Sequence, residues 1–211
     1  MSRSTRVTLR TLLALTVAAT LVPCALAAAT SNKTTARPDR SAAAATDAAH
    51  DAAMADMMKY ATPGKAHEGL KAMEGRWKAT SKAWFGSGEP MVSEGTAENR
   101  LVLGGRYLEQ RYSGVLMGQP FEGYGLTGYD NRKQSYTMLW VDNSSTEMMT
   151  GNGVLKDGDL VMTSSAIGPD GKAMAIRLVT RIVDANKHVF SMYGPVAGKE
   201  QLMMEITYTR M

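Results

Sequence analysis

Apolar and polar residues change rhythm once along this chain, at Gly75-Arg76-Trp77. Before that point Ala66, Leu70 and Met73 recur at the spacing that lines one side of a helix. After it the period falls to two. Met174, Ile176, Leu178, Thr180 and Ile182 oppose Arg177 and Arg181, and Leu202, Met204, Ile206 and Tyr208 oppose Glu205 and Thr207. Strict alternation of this kind predicts strands with one covered face.

Ten strand-like segments follow from the pattern: 76–85, 90–101, 105–116, 119–129, 133–141, 146–154, 159–167, 173–183, 187–193 and 201–210. Turn-forming residues separate them, among them Gly86-Ser87-Gly88, Gly118-Gln119-Pro120, Asp130-Asn131, Lys156-Asp157-Gly158 and Pro169-Asp170-Gly171. Such short spacers imply antiparallel neighbours throughout. The 20 glycines fall mostly in or beside these segments, which suits strongly curved sheet. The fold predicted is all-β, a single antiparallel barrel of about ten strands, with a short helix over 63–73 plugging one end. Thr62 is placed to cap that helix and Pro63 to open its first turn, while Gly75 stops it and permits the tight turn into the first strand.

The faces are less clean early in the barrel. Tyr107, Glu109 and Arg111 share one side of their strand; Leu108, Gln110 and Tyr112 share the other. A partly polar interior produces this pattern, and so does a solvated outer face bearing ion pairs. The 16 methionines, two of them chain ends, make the packed material soft and adaptable.

Upstream, residues 28–59 read as a flexible Ala-rich spacer with a marginal helix over 46–60, where Met54, Met57 and Met58 form a loose apolar side. Residues 1–27 carry Arg3, Arg6 and Arg10, then an apolar run ending in Ala25-Leu26-Ala27, the pattern of a secretory signal peptide. A periplasmic or secreted location is expected, with the secretion machinery as a partner. Cleavage there removes Cys24, the one cysteine, so no disulfide is expected. Membrane attachment is expected only if Cys24 is lipidated, and Pro23 before it departs from the small residue that the lipoprotein pattern favours. Losing the leader's three arginines leaves 21 basic against 20 acidic residues, a balance that gives no support to a nucleic-acid partner.

Catalytic and metal chemistry find little here. His50, His67 and His188 lack zinc-ligand spacing, the Asp-rich turns lack a calcium-loop register, and Ser144-Ser145 and Ser164-Ser165 have no elbow motif or base partner. No cofactor, no metal and no enzymatic activity are expected. His67 reads as structural, as does Asp130, which can bond its own backbone at a hairpin corner. The better constellation is Tyr107, Arg111, Tyr124, Tyr129, Tyr136 and Trp140, joined by Arg177: polar-tipped aromatics suit a cavity for an apolar body, and a guanidinium can read a carboxylate. Sheet packing and turn pinning account for the same tyrosines.

Two blocks carry a resemblance. Pro63, Gly64, His67, Leu70, Gly75 and Trp77 form the first; Phe121-Glu-Gly-Tyr-Gly-Leu-Thr-Gly-Tyr-Asp-Asn131, running on through Tyr136 to Trp140-Val-Asp142, forms the second. With the ending Ile206-Thr-Tyr-Thr-Arg210 they resemble the bacterial family catalogued as domain of unknown function 1579, over roughly 60–211. At greater distance, a helix before Gly-x-Trp resembles the lipocalin and fatty-acid-binding barrels. That resemblance implies that Trp77 closes the barrel base beneath Arg210. Nitrobindin-like barrels ligate haem through a late histidine; the final strand here offers none, and His188 is the histidine of the later strands. The expectation is an exported barrel holding a hydrophobic or amphipathic molecule, the alternative a structural or interaction domain with a filled interior.

Overall fold

The computed structural model describes residues 40–211 apart from Ser87, Pro169 and Asp170, with side chains from Ala44 onward. The leader 1–27, Cys24 and the spacer through residue 39 lie outside the described residues, as does the Pro169-Asp170 turn. Two helices come first, α1 (Arg40–Ala61) and α2 (Lys65–Leu70), the latter continued by a 3₁₀ turn, Lys71–Met73. Ten strands follow: β1 (Gly75–Ala83), β2 (Met91–Val102), β3 (Tyr107–Leu116), β4 (Gln119–Asp130), β5 (Ser135–Asp142), β6 (Met149–Lys156), β7 (Asp159–Ile167), β8 (Ala173–Asp184), β9 (Lys187–Val196) and β10 (Lys199–Arg210).

The helix α1 starts earlier than residue 46, because the alanine run before it has the highest helix propensity of any residue type. Met54, Met57 and Met58 stay exposed on it. Its C-terminal end is tied to the barrel. The Asn131 amide donates to the carbonyls of Tyr60 (3.0 Å) and Thr62 (2.8 Å), and Arg106 donates to Ala61 (2.7 Å). Thr62 serves this end too: its hydroxyl bonds back to the Met58 carbonyl at 2.7 Å. That corrects the capping role expected of it, since α2 begins after Gly64 and Pro63 precedes the cap. The Gly64 N–H instead finds His67 Nδ1 at 3.1 Å, half of a capping box in which an imidazole does the work usually done by Glu or Gln.

Each strand pairs antiparallel with its neighbours in sequence, and β1 also pairs with β10, closing the barrel. In that seam Trp77 lies opposite Arg210, and Ala79 opposite Tyr208. Two-residue turns such as Met117-Gly118 (φ 51° and 77°) and Asp157-Gly158 (φ 53° and 88°) have the left-handed backbone whose twist matches a hairpin. A register shift between Leu202 and Met204 breaks the alternation of β10. Met203 and Met204 then both reach the interior, which the period-two reading of that strand did not anticipate.

Inward side chains pack in two groups. Leu70 of α2 joins Leu108, Tyr136, Leu160, Met162, Ile176 and Leu178; Trp77 joins Ala79, Ala97, Tyr112 and Tyr208. α2 fills the end where β1 starts and β10 finishes, here called the base. Burying its Leu70, left 1% exposed, contributes about 2 kcal/mol to holding the plug. The opposite end, bounded by the β1–β2, β3–β4, β5–β6, β7–β8 and β9–β10 connections, is the mouth.

Candidate functional site

A helix leaves its last carbonyls without partners, and burying them uncapped is costly. The barrel base supplies donors for all three carbonyls that end this plug. Arg210 donates to Ala72 (3.3 Å) and Glu74 (2.8 Å), and both the Trp77 indole (2.9 Å) and the Asn99 amide (2.8 Å) donate to Met73. Tyr136, inward on β5, donates its hydroxyl to Ala66 at 3.0 Å, and Tyr129 meets His67 and Tyr136 edge to face. The base is therefore shut by side chains that read the helix backbone.

Asn99 begins a buried polar chain. Its Oδ1 accepts from Gln110 Nε2 at 3.1 Å, and Gln110 bonds to Tyr208. Burial pushes the Tyr208 hydroxyl well above its ordinary pKa and raises that of Tyr112. His188 is stacked on Tyr208 (4.4 Å between ring centroids) and lies edge-on to Trp77 (4.3 Å). It is 2% exposed, and its Nδ1 has no hydrogen-bond partner among the described residues. Burial, helped by the nearby Arg210 charge, lowers its pKa to about 4, so the ring is neutral near pH 7.

Above this floor a cavity of about 400 Å³ remains inside the barrel. Methionines form much of its wall, with Phe121, Trp140, Phe190 and Ile176. Asn99, Gln110 and His188 supply polar atoms towards the base, and Asp142, Ser144, Ser145 and Glu147 supply them at the mouth. Trp140 lies flat over Gly123 and Gly125, where a Cβ on either glycine would press into the indole. The Trp140 N–H donates to Asp142 Oδ2 at 2.9 Å, while Asp142 Oδ1 accepts from the Ser144 N–H and hydroxyl. Burial raises the Asp142 pKa, but these hydrogen bonds outweigh it and hold the carboxyl below its ordinary value.

Six of the seven side chains expected to hold a ligand do not line the cavity. Trp140 does. Tyr129 and Tyr136 point inward but are spent on the helix plug. Tyr107 packs over Gly128 on the outer face, and Arg177 lies outside, forked onto Glu200 and stacked on Tyr193 at 4.0 Å. Arg111 pairs with Glu109 and covers the Tyr124 ring at 5.4 Å, both lining a shallow outer depression across β2–β5. The physical reason is parity. On β3 the Leu108, Gln110, Tyr112 face is the inner one, which puts Arg111 and Tyr107 outside. Exposed arginines then meet carboxylates of the protein itself.

The structural positions read from the sequence are occupied as follows. Arg210 sits over the Trp77 ring at 4.1 Å. Asp130 Oδ1 accepts from the N–H groups of Arg132 (2.8 Å) and Lys133 (3.1 Å), fixing the β4–β5 corner. Gly75 has φ +123°, and a Cβ there would come within 2.5 Å of Arg210 Nη1.

A family model described as protein of unknown function (DUF1579) matches residues 62–210. The chain belongs to this family. No curated protein matches. Among solved structures, a crystal structure of Rv2717c from M. tuberculosis is 16% identical with a TM-score of 0.51, over 71% of this chain and 99% of that one. A redesigned beta barrel is 12% identical with a TM-score of 0.38, over 68% and 95%. At such identities the first likeness speaks to fold alone. Among the described residues no group of three or more His, Cys, Asp or Glu side chains is placed to hold a metal, and no helix is long and apolar enough to cross a membrane.

The residues that shape the cavity floor were not singled out as a site from the sequence. Asn99 and Gln110 carry no motif, and Tyr208 entered only through the alternating face and ending block of the last strand. Their parity with Ala97, Leu108 and Ile206 was the available signal. His188 shares parity with Phe190 and Met192 and was legible in the same way.

Proposed function

We propose that the barrel binds a hydrophobic or amphipathic small molecule in its interior. One observation carries this reading: an apolar, methionine-rich cavity of about 400 Å³ persists above a base that α2 has already sealed. Pockets for small ligands have this size and lining, with few polar groups placed to orient the guest. Thioether walls adapt to more than one shape, so selectivity falls to the polar groups at floor and mouth. The leader-like first 27 residues support export, and with it a role in holding or carrying the guest outside the cytoplasm.

Native mass spectrometry of the purified chain, followed by identification of what organic extraction releases, tests the reading. A bound small molecule is expected, and so is displacement of a polarity-sensitive dye by added amphiphiles. Filling the cavity with Ile176→Trp is expected to abolish both. A protein that carries nothing, binds no dye and takes up no amphiphile supports instead the filled structural domain.

A further inference from the structure

The ionised groups around the cavity are all of one sign. Asp142 and Glu147 line its mouth, and no arginine or lysine lines it anywhere. Elsewhere on the barrel several carboxylates are matched: Glu98 with Arg100, Glu109 with Arg111, Asp159 with Arg181 and Glu200 with Arg177. Among the described residues Asp142 and Glu147 have no ion-pair partner. The hydrogen bonds that Asp142 accepts come from neutral donors, the Trp140 indole and Ser144, so they orient the carboxylate without cancelling its charge. The indole that holds Asp142 also forms the adjoining cavity wall, one face against Gly123 and Gly125. A carboxylate beside an aromatic face is the arrangement that attracts an organic cation, the ring through its quadrupole and the acid through its charge.

We propose that the cavity takes an amphiphile with an ammonium head group, its tail among the methionines and its head at the mouth between Trp140, Asp142 and Glu147. The inference rests on the binding reading above and narrows it. A fatty acid in the same orientation would bring its carboxylate against Asp142 and Glu147 with no cation to meet it, and desolvating that charge unpaired is unfavourable. Reversing the guest does not rescue an anion. The floor offers amide groups, hydroxyls and the neutral His188, but no positive lining group.

The test uses guests that share one tail: decyltrimethylammonium, decylamine, decanol and decanoate, each titrated into the full chain below its micelle concentration and followed by calorimetry and indole fluorescence. The cations are expected to bind about tenfold more tightly than decanol, and decanoate more weakly than decanol. The cation preference should shrink as salt is raised, since the mouth is partly open to solvent. In Asp142→Asn and Glu147→Gln, singly and together, the ratio of cation to alcohol affinity should fall towards one. A decylphosphocholine arm separates two sources of the same chemistry. Binding as tight as decyltrimethylammonium assigns a lipid head group; rejection beside tight decyltrimethylammonium binding assigns a free organic cation.

Decanol binding without cation preference, or equal or tighter decanoate binding, overturns the proposal while leaving an amphiphile-binding cavity in place. Preference that survives in both single variants and the double variant also overturns it. If no guest binds at all, the broader reading falls with it.

Discussion

Arg210, the penultimate residue, sits over the Trp77 ring at 4.1 Å and stands opposite it across the β1–β10 seam. The same guanidinium donates to Ala72, Glu74 and, at 2.8 Å, to Ala185 in the β8–β9 turn. One side chain thus joins the first strand, the last strand, the helix plug and a base turn. Arg210→Ala is expected to cost about 3 kcal/mol, from the stacking and the stranded carbonyls together. Arg210→Lys keeps the charge but cannot fork among three acceptors, and should recover less than half of the loss. Urea denaturation midpoints at constant slope provide the measurement, and a variant within 0.5 kcal/mol of the parent, roughly the level of an ordinary surface substitution, would show that the barrel closes without this clasp.

His188 predicts a pH dependence. Its pKa is about 4 in the folded barrel against an ordinary value near 6.5, with Tyr208, Trp77 and the Arg210 charge around it. Between these values the unfolded chain binds more protons, so stability should fall as pH drops from about 6.5 to about 4. The loss attributable to this group is on the order of 3 kcal/mol. Asp130 and Asp142, with lowered pKa values, also lose stability on acidification, but below the ordinary carboxylate range. His188→Phe removes the titrating ring and the unpartnered Nδ1 together. Its stability is expected to be flat from pH 6.5 to 5, where the parent already declines, and an unchanged slope there would assign the effect to another group.

The architecture was legible because parity and punctuation are local. Ten alternating segments, glycine-bearing turns and the Gly75-Arg76-Trp77 break were enough to write down a barrel with a helical plug. The site was less legible. Choosing which parity faces inward on β3 requires knowing that Leu108 joins the buried cluster of Leu70 of α2, an association absent from the local pattern. With that choice reversed, Arg111 and Tyr107 read as cavity residues. The fate of Tyr129 and Tyr136 was hidden for another reason. A tyrosine hydroxyl aimed at a ligand and one aimed at the Ala66 carbonyl have the same sequence, and only the position of α2 separates them.

Tyr136 therefore gives a prediction that distinguishes plug from pocket. Tyr136→Phe keeps the ring beside Tyr129 and deletes the donor to Ala66, so the stability loss should be about 1 kcal/mol. Guest affinity should change less than twofold, because this residue does not line the cavity. Hydrogen exchange should instead accelerate at the amides of α2, whose first turn loses its tie to β5. A large drop in affinity with α2 unchanged would return Tyr136 to the binding wall.

Trp140 provides the complementary case. Its indole covers Gly123 and Gly125 so closely that a methyl group at Gly123 cannot coexist with the ring in place. Gly123→Ala must either bend β4 or swing the indole into the cavity, and overpacking of this kind costs about 1–3 kcal/mol. Swinging the ring also breaks its hydrogen bond to Asp142 and uses space a guest would need. The expected result is a shifted indole emission maximum with weaker binding of every tested guest, charged or neutral, because the volume itself is reduced. The chain has three tryptophans; Trp77 is sealed in the base, so repeating the measurement with the third removed, in Trp84→Phe, assigns the emission change to Trp140. Parent-like emission and affinity would mean that β4 yields instead of the ring, and that the indole's seat on the two glycines does not shape the cavity.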